Sequence, residues 1–130
     1  MKATAIDHVN VRVPESAIEA FVGFYRDDVG FDLEYYDEYR AGEREFFYVR
    51  LGPSCIIHVS PRETVPEPTG ETIDHFAVFV DASMDEVMER VEAADAEVLT
   101  EAVREGATGE YPCVYVEDPV GYTVEFKTAA

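Results

Sequence analysis

The chain repeats itself at a fixed interval, and this repeat constrains its fold more than any other feature. Residues 6–13 read Ile-Asp-His-Val-Asn-Val-Arg-Val, and residues 73–80 read Ile-Asp-His-Phe-Ala-Val-Phe-Val, so the offset is 75 − 8 = 67 residues. The same offset places Tyr48 on Tyr115. Self-similarity at a fixed period is typical of a chain built from copies of one structural unit.

The length and the repeat together predict the domain organisation. At 130 residues the chain is long enough for one domain with a sizeable core. We expect a single domain made of two repeats, 1–60 and 73–130. The intervening residues 61–72 contain three prolines and a glycine, which is typical of a linker.

The residue patterns predict the order β-α-β-β-β in each repeat, and so an α+β fold of paired units that form a curved mixed sheet. In the first strand the valines at 9, 11 and 13 alternate with His8, Asn10 and Arg12, which indicates one buried and one polar face. The predicted strands are 6–13, a segment through Phe31, Leu33 and Tyr35, 45–51, 55–60, 73–80, 97–103, 112–117 and 122–127.

Capping and turn residues predict where the helices and loops lie. Ser16 with Glu19, and Ser83 with Glu86, have the spacing of a capping box, so a helix should begin at each serine, the first running over 16–28. Glycine-containing segments predict a turn around 40–43 and a mobile loop over 104–110. The run Asp118-Pro119-Val120-Gly121 predicts a turn before the last strand.

Alternation also places four potential metal ligands on the polar face of the first and last strands: His8, His58, His75 and Glu125. They include all three histidines of the chain. If the two units are related by a pseudo-twofold axis, these side chains converge. Three imidazoles and one carboxylate suit Zn, Ni, Fe, Co or Mn better than Ca or Mg. We therefore predict a divalent metal as cofactor, of undetermined identity.

Composition restricts the partners and the location of the protein. With 28 acidic residues against 10 Lys and Arg, the net charge is −18, which disfavours nucleic acid and anionic membrane as partners. Such an acidic, lysine-poor surface resembles that of halophilic proteins. We expect a cytoplasmic protein, because there is no signal-like or long apolar segment, with Cys55 and Cys113 reduced.

Three motifs resemble the vicinal oxygen chelate superfamily, which includes glyoxalase I, extradiol dioxygenases and the bleomycin resistance proteins. They are the opening Ile-Asp-His, Phe24-Tyr25 with Gly30-Phe31, and the closing run 117–125, Glu-Asp-Pro-Val-Gly-Tyr-Thr-Val-Glu. The resemblance implies a glyoxalase-like fold with His8, His75 and Glu125 as metal ligands. Glyoxalases and epimerases commonly have Glu or Gln at the remaining ligand position, where this chain has His58.

The resemblance leaves three functions open. In a glyoxalase-like lyase or isomerase, acting on a small substrate with adjacent oxygens, Glu125 or His58 would take a proton and Arg12 would hold a carboxylate. In an extradiol ring-cleaving dioxygenase, His58 would act as an acid or base and Tyr115 would orient the substrate. A metal-free drug-binding resistance protein is the third possibility.

The same face supplies a candidate wall for a small anionic or aromatic substrate. Its predicted binding residues are Arg12, Phe46, Tyr48, Arg50 and Phe79. The resemblance further implies a homodimer, since superfamily members of this length often dimerise and sometimes share each metal site between two chains.

Overall fold

Two four-stranded mixed sheets carry the α+β fold of the chain, and the computed structural model describes residues 1–130. The chain divides into two compact units, Met1–Pro66 and Glu67–Ala130. The strands are β1 His8–Pro14, β2 Asp32–Glu34, β3 Phe47–Gly52, β4 Cys55–Arg62, β5 Phe76–Phe79, β6 Val98–Gly106, β7 Gly109–Glu117 and β8 Thr123–Lys127. The α-helices are α1 Ile18–Val22, α2 Tyr36–Arg40 and α3 Met84–Ala93.

The first unit has the strand order β1-β4-β3-β2. β1 is parallel to β4, and the remaining neighbours are antiparallel. The register puts Asn10 and Tyr48 on either side of His58. β4 continues to Arg62, two residues into the predicted linker.

The second unit repeats this topology as β5-β8-β7-β6. Ala77 and Tyr115 lie on either side of Glu125, as Asn10 and Tyr48 do around His58. The β-α-β-β-β order predicted for each unit is therefore confirmed, each unit forming a mixed four-stranded sheet.

In β1 and β3 burial follows the alternation of the sequence, whereas residues 124–127 of β8 are all buried. In the first unit the buried hydrophobic side chains are Val11, Val13, Ile18, Phe21, Val22, Phe24, Tyr25, Tyr36, Phe47, Val49, Ile57 and Val59. In the second they are Val78, Val87, Val91, Cys113, Val114, Val116, Val124 and Phe126. Burying a side chain such as Val or Phe stabilises the fold by about 1.5–3 kcal/mol. The opposite faces of β1 and β4 therefore remain for polar groups.

The first helical segment begins differently from the prediction. A 3₁₀ turn, Glu15–Ala17, precedes α1, and no side-chain hydrogen bond caps either element. The predicted capping box at Ser16 and Glu19 is therefore wrong. Its physical reason is that Pro14 ends β1 directly before the 3₁₀ turn, so Ser16 lies within helical backbone. π-helical turns, Gly23–Asp28, then continue the segment to the predicted end.

The helix α3 matches its prediction closely. Ser83 Oγ accepts a hydrogen bond of 3.2 Å from the backbone N–H of Glu86, and Ser83 has the extended backbone of an N-cap. Asp85 and Glu86 lie in the first turn, where negative charge is favourable.

The turn predicted at 40–43 is present, with Gly42 at φ 78°, but the sequence did not predict the short helix α2 that precedes it. The mobile loop predicted over 104–110 is wrong. The segment 104–110 is a hairpin in which β6 and β7 pair up to Gly106 and Gly109, so it is not an open loop.

No helix is both long and apolar enough to cross a bilayer.

The turn before the last strand is confirmed and is held by one carboxylate. Asp118 is 4% exposed, and its Oδ1 accepts hydrogen bonds from the N–H groups of Val120, Gly121 and Tyr122 at 2.9, 3.0 and 3.0 Å. Gly121 has φ 107°, which favours glycine. The turn fixes where β8 begins, and with it the position of Glu125.

Candidate functional site

Each repeat begins with an Asp-His pair in which the aspartate orients the imidazole. Asp7 Oδ2 lies 2.7 Å from His8 Nδ1, and Asp74 Oδ2 lies 2.6 Å from His75 Nδ1. An ionised carboxylate only accepts, so the hydrogen must lie on Nδ1. Nε2 is then left to face a partner, which is how carboxylates commonly orient metal-binding histidines.

In the second unit His75 Nε2 lies 3.0 Å from Glu125 Oε2. Because His75 Nδ1 carries the ring hydrogen, Nε2 and Glu125 Oε2 each present a lone pair to the other. The two atoms repel each other unless a cation lies between them. A proton can fill this role. So can a metal ion, because two ligand atoms each about 2.1 Å from one ion and at right angles are about 3.0 Å apart.

Glu125 is buried, with 4% exposure, among groups that favour its ionised form. Burial alone would raise the pKa of Glu125, but hydrogen bonds from Cys113 and Lys127, the Lys127 charge and a hydrogen bond from Tyr115 together hold it below its usual value. Lys127 Nζ lies 3.2 Å from Glu125 Oε1 and donates to the carbonyl of Arg104 at 2.8 Å. One carboxylate oxygen is thus held by Lys127, and the other faces His75.

Tyr115 lies beside this pair, as alternation predicts. Its ring meets that of His75 edge to face, with centroids 4.9 Å apart. Burial, followed by the charge of Glu125, raises the pKa of Tyr115. The phenol therefore stays protonated at neutral pH and can donate a hydrogen bond.

In the first unit His58 lies in an aromatic setting. The ring centroids of Phe46, Tyr48 and His8 are 4.8, 5.2 and 5.7 Å from that of His58. Burial, then His8 and Arg44, lower the pKa of His58. The imidazole is therefore neutral near pH 7, and its buried Nε2 has no hydrogen-bond partner.

The sequence matches one known protein family over most of its length. Residues 5–126 match the model of the Glyoxalase/Bleomycin resistance protein/Dioxygenase superfamily. The chain belongs to this superfamily. No curated protein sequence matches the chain.

Solved structures show the same fold. An integron cassette protein from the mobile metagenome of V. cholerae aligns with a TM-score of 0.76 and 20% identity, covering 100% of this chain and 98% of that chain. The lactoylglutathione lyase of Agrobacterium tumefaciens gives 0.64 and 20%, covering 99% and 96%. The fosfomycin resistance protein FosX of Listeria monocytogenes gives 0.69 and 18%, covering 97% and 91%. The glyoxalase-like fold is thus shown.

For this superfamily member, the predicted ligands form two pairs. His8 lies beside His58 in the first unit, and His75 beside Glu125 in the second. No group of three or more His, Cys, Asp or Glu side chains is arranged to hold a metal ion. The set of four ligands remains a prediction.

The predicted substrate residues have different surroundings. Arg12 is exposed on the polar face of β1. Arg50 forms an ion pair with Glu34, with Nη2 2.6 Å from Oε1, so a substrate anion would have to compete for it. Phe79 is 50% exposed and contacts Tyr111 at 4.9 Å.

Sequence reasoning missed the residues that surround the predicted ligands. Asp7 and Asp74 each precede a histidine, and this recurrence was a signal that they orient the rings. Lys127 lies two residues after Glu125 on the same face, so alternation could have paired them. Arg44 lies outside every predicted strand pattern and carried no signal.

Proposed function

We propose that this protein is a metal-dependent enzyme, a glyoxalase-like lyase or isomerase that acts on a small substrate with adjacent oxygens. The observation that carries the proposal is the 3.0 Å approach of His75 Nε2 to Glu125 Oε2. This pair is buried on the Glu125 side, and Asp74 orients the imidazole. An imidazole nitrogen and a carboxylate oxygen are atoms that divalent transition metals accept as ligands, which supports the proposal.

His8, His58, His75 and Glu125 are the proposed ligands. In both Asp-His pairs the lone pair on the histidine Nε2 is left to bind a metal, and the Nε2 of His58, which has no hydrogen-bond partner, supplies a third ligand atom. When bound, such an ion acts as a Lewis acid toward an oxyanion that develops on the substrate.

The base in this proposal is Glu125 or His58. The low pKa of Glu125 keeps it ionised, and the lowered pKa of His58 keeps it neutral, so both can accept a proton near pH 7. Tyr115 is proposed to orient the substrate through its hydroxyl. Which of the two groups takes the proton depends on which one stays on the metal.

The substrate in this proposal lies against the polar face of the strands. Arg12 and Arg50 would attract an anionic group, and Phe46, Tyr48 and Phe79 would contact a flat or apolar part. The proposed assembly is a homodimer, which would let residues of two chains contribute to one site.

A second candidate is an extradiol-type dioxygenase. It is favoured by the nature of position 58, where a neutral histidine with an unpartnered Nε2 replaces the usual Glu or Gln. His8, His75 and Glu125 would then form the two-histidine, one-carboxylate set typical of Fe(II), and His58 would serve as acid or base.

Activity assays on the metal-loaded protein test the proposal. With Ni(II), Co(II) or Zn(II), we expect turnover of the hemithioacetal of methylglyoxal and glutathione, and we expect Glu125→Gln to lower kcat/KM at least about 100-fold because it removes the carboxylate. Glu86→Gln, on the surface of α3, is the matched control and should behave as wild type. Turnover of catechol with Fe(II) and O₂ instead would select the dioxygenase. Full activity in Glu125→Gln would refute both.

A further inference from the structure

We propose that Arg44 and the aromatic side chains around it form an anion subsite beside His58, which selects substrates with a carboxylate on a flat, unsaturated group. We call Tyr35, Arg44, Phe46 and Tyr48 the Arg44 cluster. The proposal rests on the proposed function, since it defines the substrate class of that site. Arg44 and Tyr35 are the new residues.

Aromatic rings hold the guanidinium of Arg44 in place. Its central carbon lies 3.8 Å from the ring centroid of Tyr35, 5.3 Å from that of Phe46 and 5.5 Å from that of Tyr48. Nη2 donates a hydrogen bond of 3.2 Å to the hydroxyl of Tyr48. A stacked arginine is pre-organised, so little freedom is lost when its remaining N–H groups bind a planar anion.

The charge of Arg44 is not neutralised by a carboxylate. Arg26, Arg40, Arg50 and Arg90 each lie within 4.0 Å of an acidic side chain, but Arg44 forms no such ion pair. In a chain with 28 acidic residues, an arginine held by a phenol rather than a carboxylate keeps its capacity to pair with an incoming anion.

Tyr35 occupies a backbone conformation that costs energy for a residue other than glycine. Its φ is 66° and its ψ 13°, in the left-handed region, where Cβ crowds the backbone. The stack on Arg44 and an edge-to-face contact with Tyr48, centroids 5.5 Å apart, hold the ring there. Strain of this kind tends to persist where a side chain must be placed for function.

The Arg44 cluster adjoins the proposed site directly. Phe46 and Tyr48 contact both Arg44 and the ring of His58, and the charge of Arg44 contributes, after burial and His8, to the lowered pKa of His58. A carboxylate on Arg44 would therefore place the flat part of the substrate against Phe46 and Tyr48, whose rings contact the ring of His58.

Benzoate is the probe that tests the subsite. The three histidines of the chain should give three resolved imidazole Hε1 signals by NMR, assigned with His→Gln variants. In chelator-treated protein at fixed pH and ionic strength, benzoate should shift the His58 signal saturably. Arg44→Met should raise the Kd for benzoate at least tenfold. The Kd of Arg44→Lys should lie between those of wild type and Arg44→Met, because lysine keeps the charge but loses the planar N–H fork and the stacking on Tyr35.

Two controls make the result specific. Arg62→Met removes an exposed arginine of the same unit that donates only to a carbonyl, so benzoate should bind it as it binds wild type. Benzamide, which has the ring without the charge, should bind wild type at least tenfold more weakly than benzoate. This second comparison needs no variant, so it stands even if Arg44→Met fails to fold.

The outcomes separate the subsite from the proposed function. Equal affinity of wild type for benzoate and benzamide, no His58 shift, or unchanged benzoate binding in folded Arg44→Met overturns the subsite. Co(II) titration of the same wild-type sample reports the metal separately. Benzoate binding without Co(II) uptake would support the subsite and overturn the metal-dependent function. Co(II) uptake without benzoate binding would overturn the subsite and support the metal-dependent function.

Discussion

At the scale of single residues, the two repeats have kept their geometry and diverged in charge. His58 and Glu125 occupy equivalent register positions, and so do Ser60 and Lys127. In the first unit Ser60 Oγ accepts a hydrogen bond of 3.0 Å from Asn10, whereas in the second Lys127 pairs with Glu125. Alternation predicted the face of these residues but not their burial, because a period of two does not report what covers a face.

Lys127→Met tests the importance of the buried pair. Removing one partner leaves the Glu125 carboxylate buried without its counter-charge, so we expect the free energy of unfolding to fall by about 3 kcal/mol at pH 7. Urea denaturation measures this loss. The matched control is Arg90→Met, whose half-exposed i,i+4 pair with Glu86 should contribute no more than about 0.5 kcal/mol. Equal small losses in both variants would show that Lys127 does not stabilise Glu125.

At the scale of elements, sequence signals predicted the strands and α3 better than they predicted the helices of the first unit. Ser83 has extended backbone directly before α3 and caps it, whereas Ser16 is the second residue of the 3₁₀ turn that begins after Pro14. The short helix α2 lacks a side-chain cap, and its N-cap Tyr35 is left-handed. A start that depends on tertiary contacts of Tyr35 leaves no local pattern to recognise.

A pair of serine variants tests this difference. Ser83→Ala should lower the free energy of unfolding by about 1 kcal/mol, because it removes the acceptor for the Glu86 N–H. Ser16→Ala should change it by less than about 0.5 kcal/mol, because Ser16 makes no capping bond. Thermal or urea unfolding of both proteins provides the measurement. A larger loss for Ser16→Ala would contradict the assigned helix start.

At the scale of the whole molecule, the 67-residue repeat correctly predicted the duplicated topology, and the three sequence motifs correctly predicted the superfamily. Function is less determined, because one fold serves lyases, dioxygenases and binding proteins, and the difference lies in few side chains. The sequence could place the histidines on the polar faces. The recurrence of Asp before His and the spacing of Glu125 and Lys127 were signals for two further contacts, but nothing in the sequence indicated the Arg44 cluster, which depends on side-chain conformation.

The metal content of the purified protein is the sharpest test of the proposal that it is a metal-dependent enzyme. After purification without chelators and incubation with Co(II), Ni(II), Zn(II) or Fe(II), wild type should retain about one ion per chain, the result expected if the four proposed ligands hold one metal. His75→Gln should retain less than about a tenth of that amount, because it removes an imidazole ligand, and Arg90→Met should match wild type. Elemental analysis that finds wild type free of metal under all four conditions, or His75→Gln loaded equally, would contradict the account.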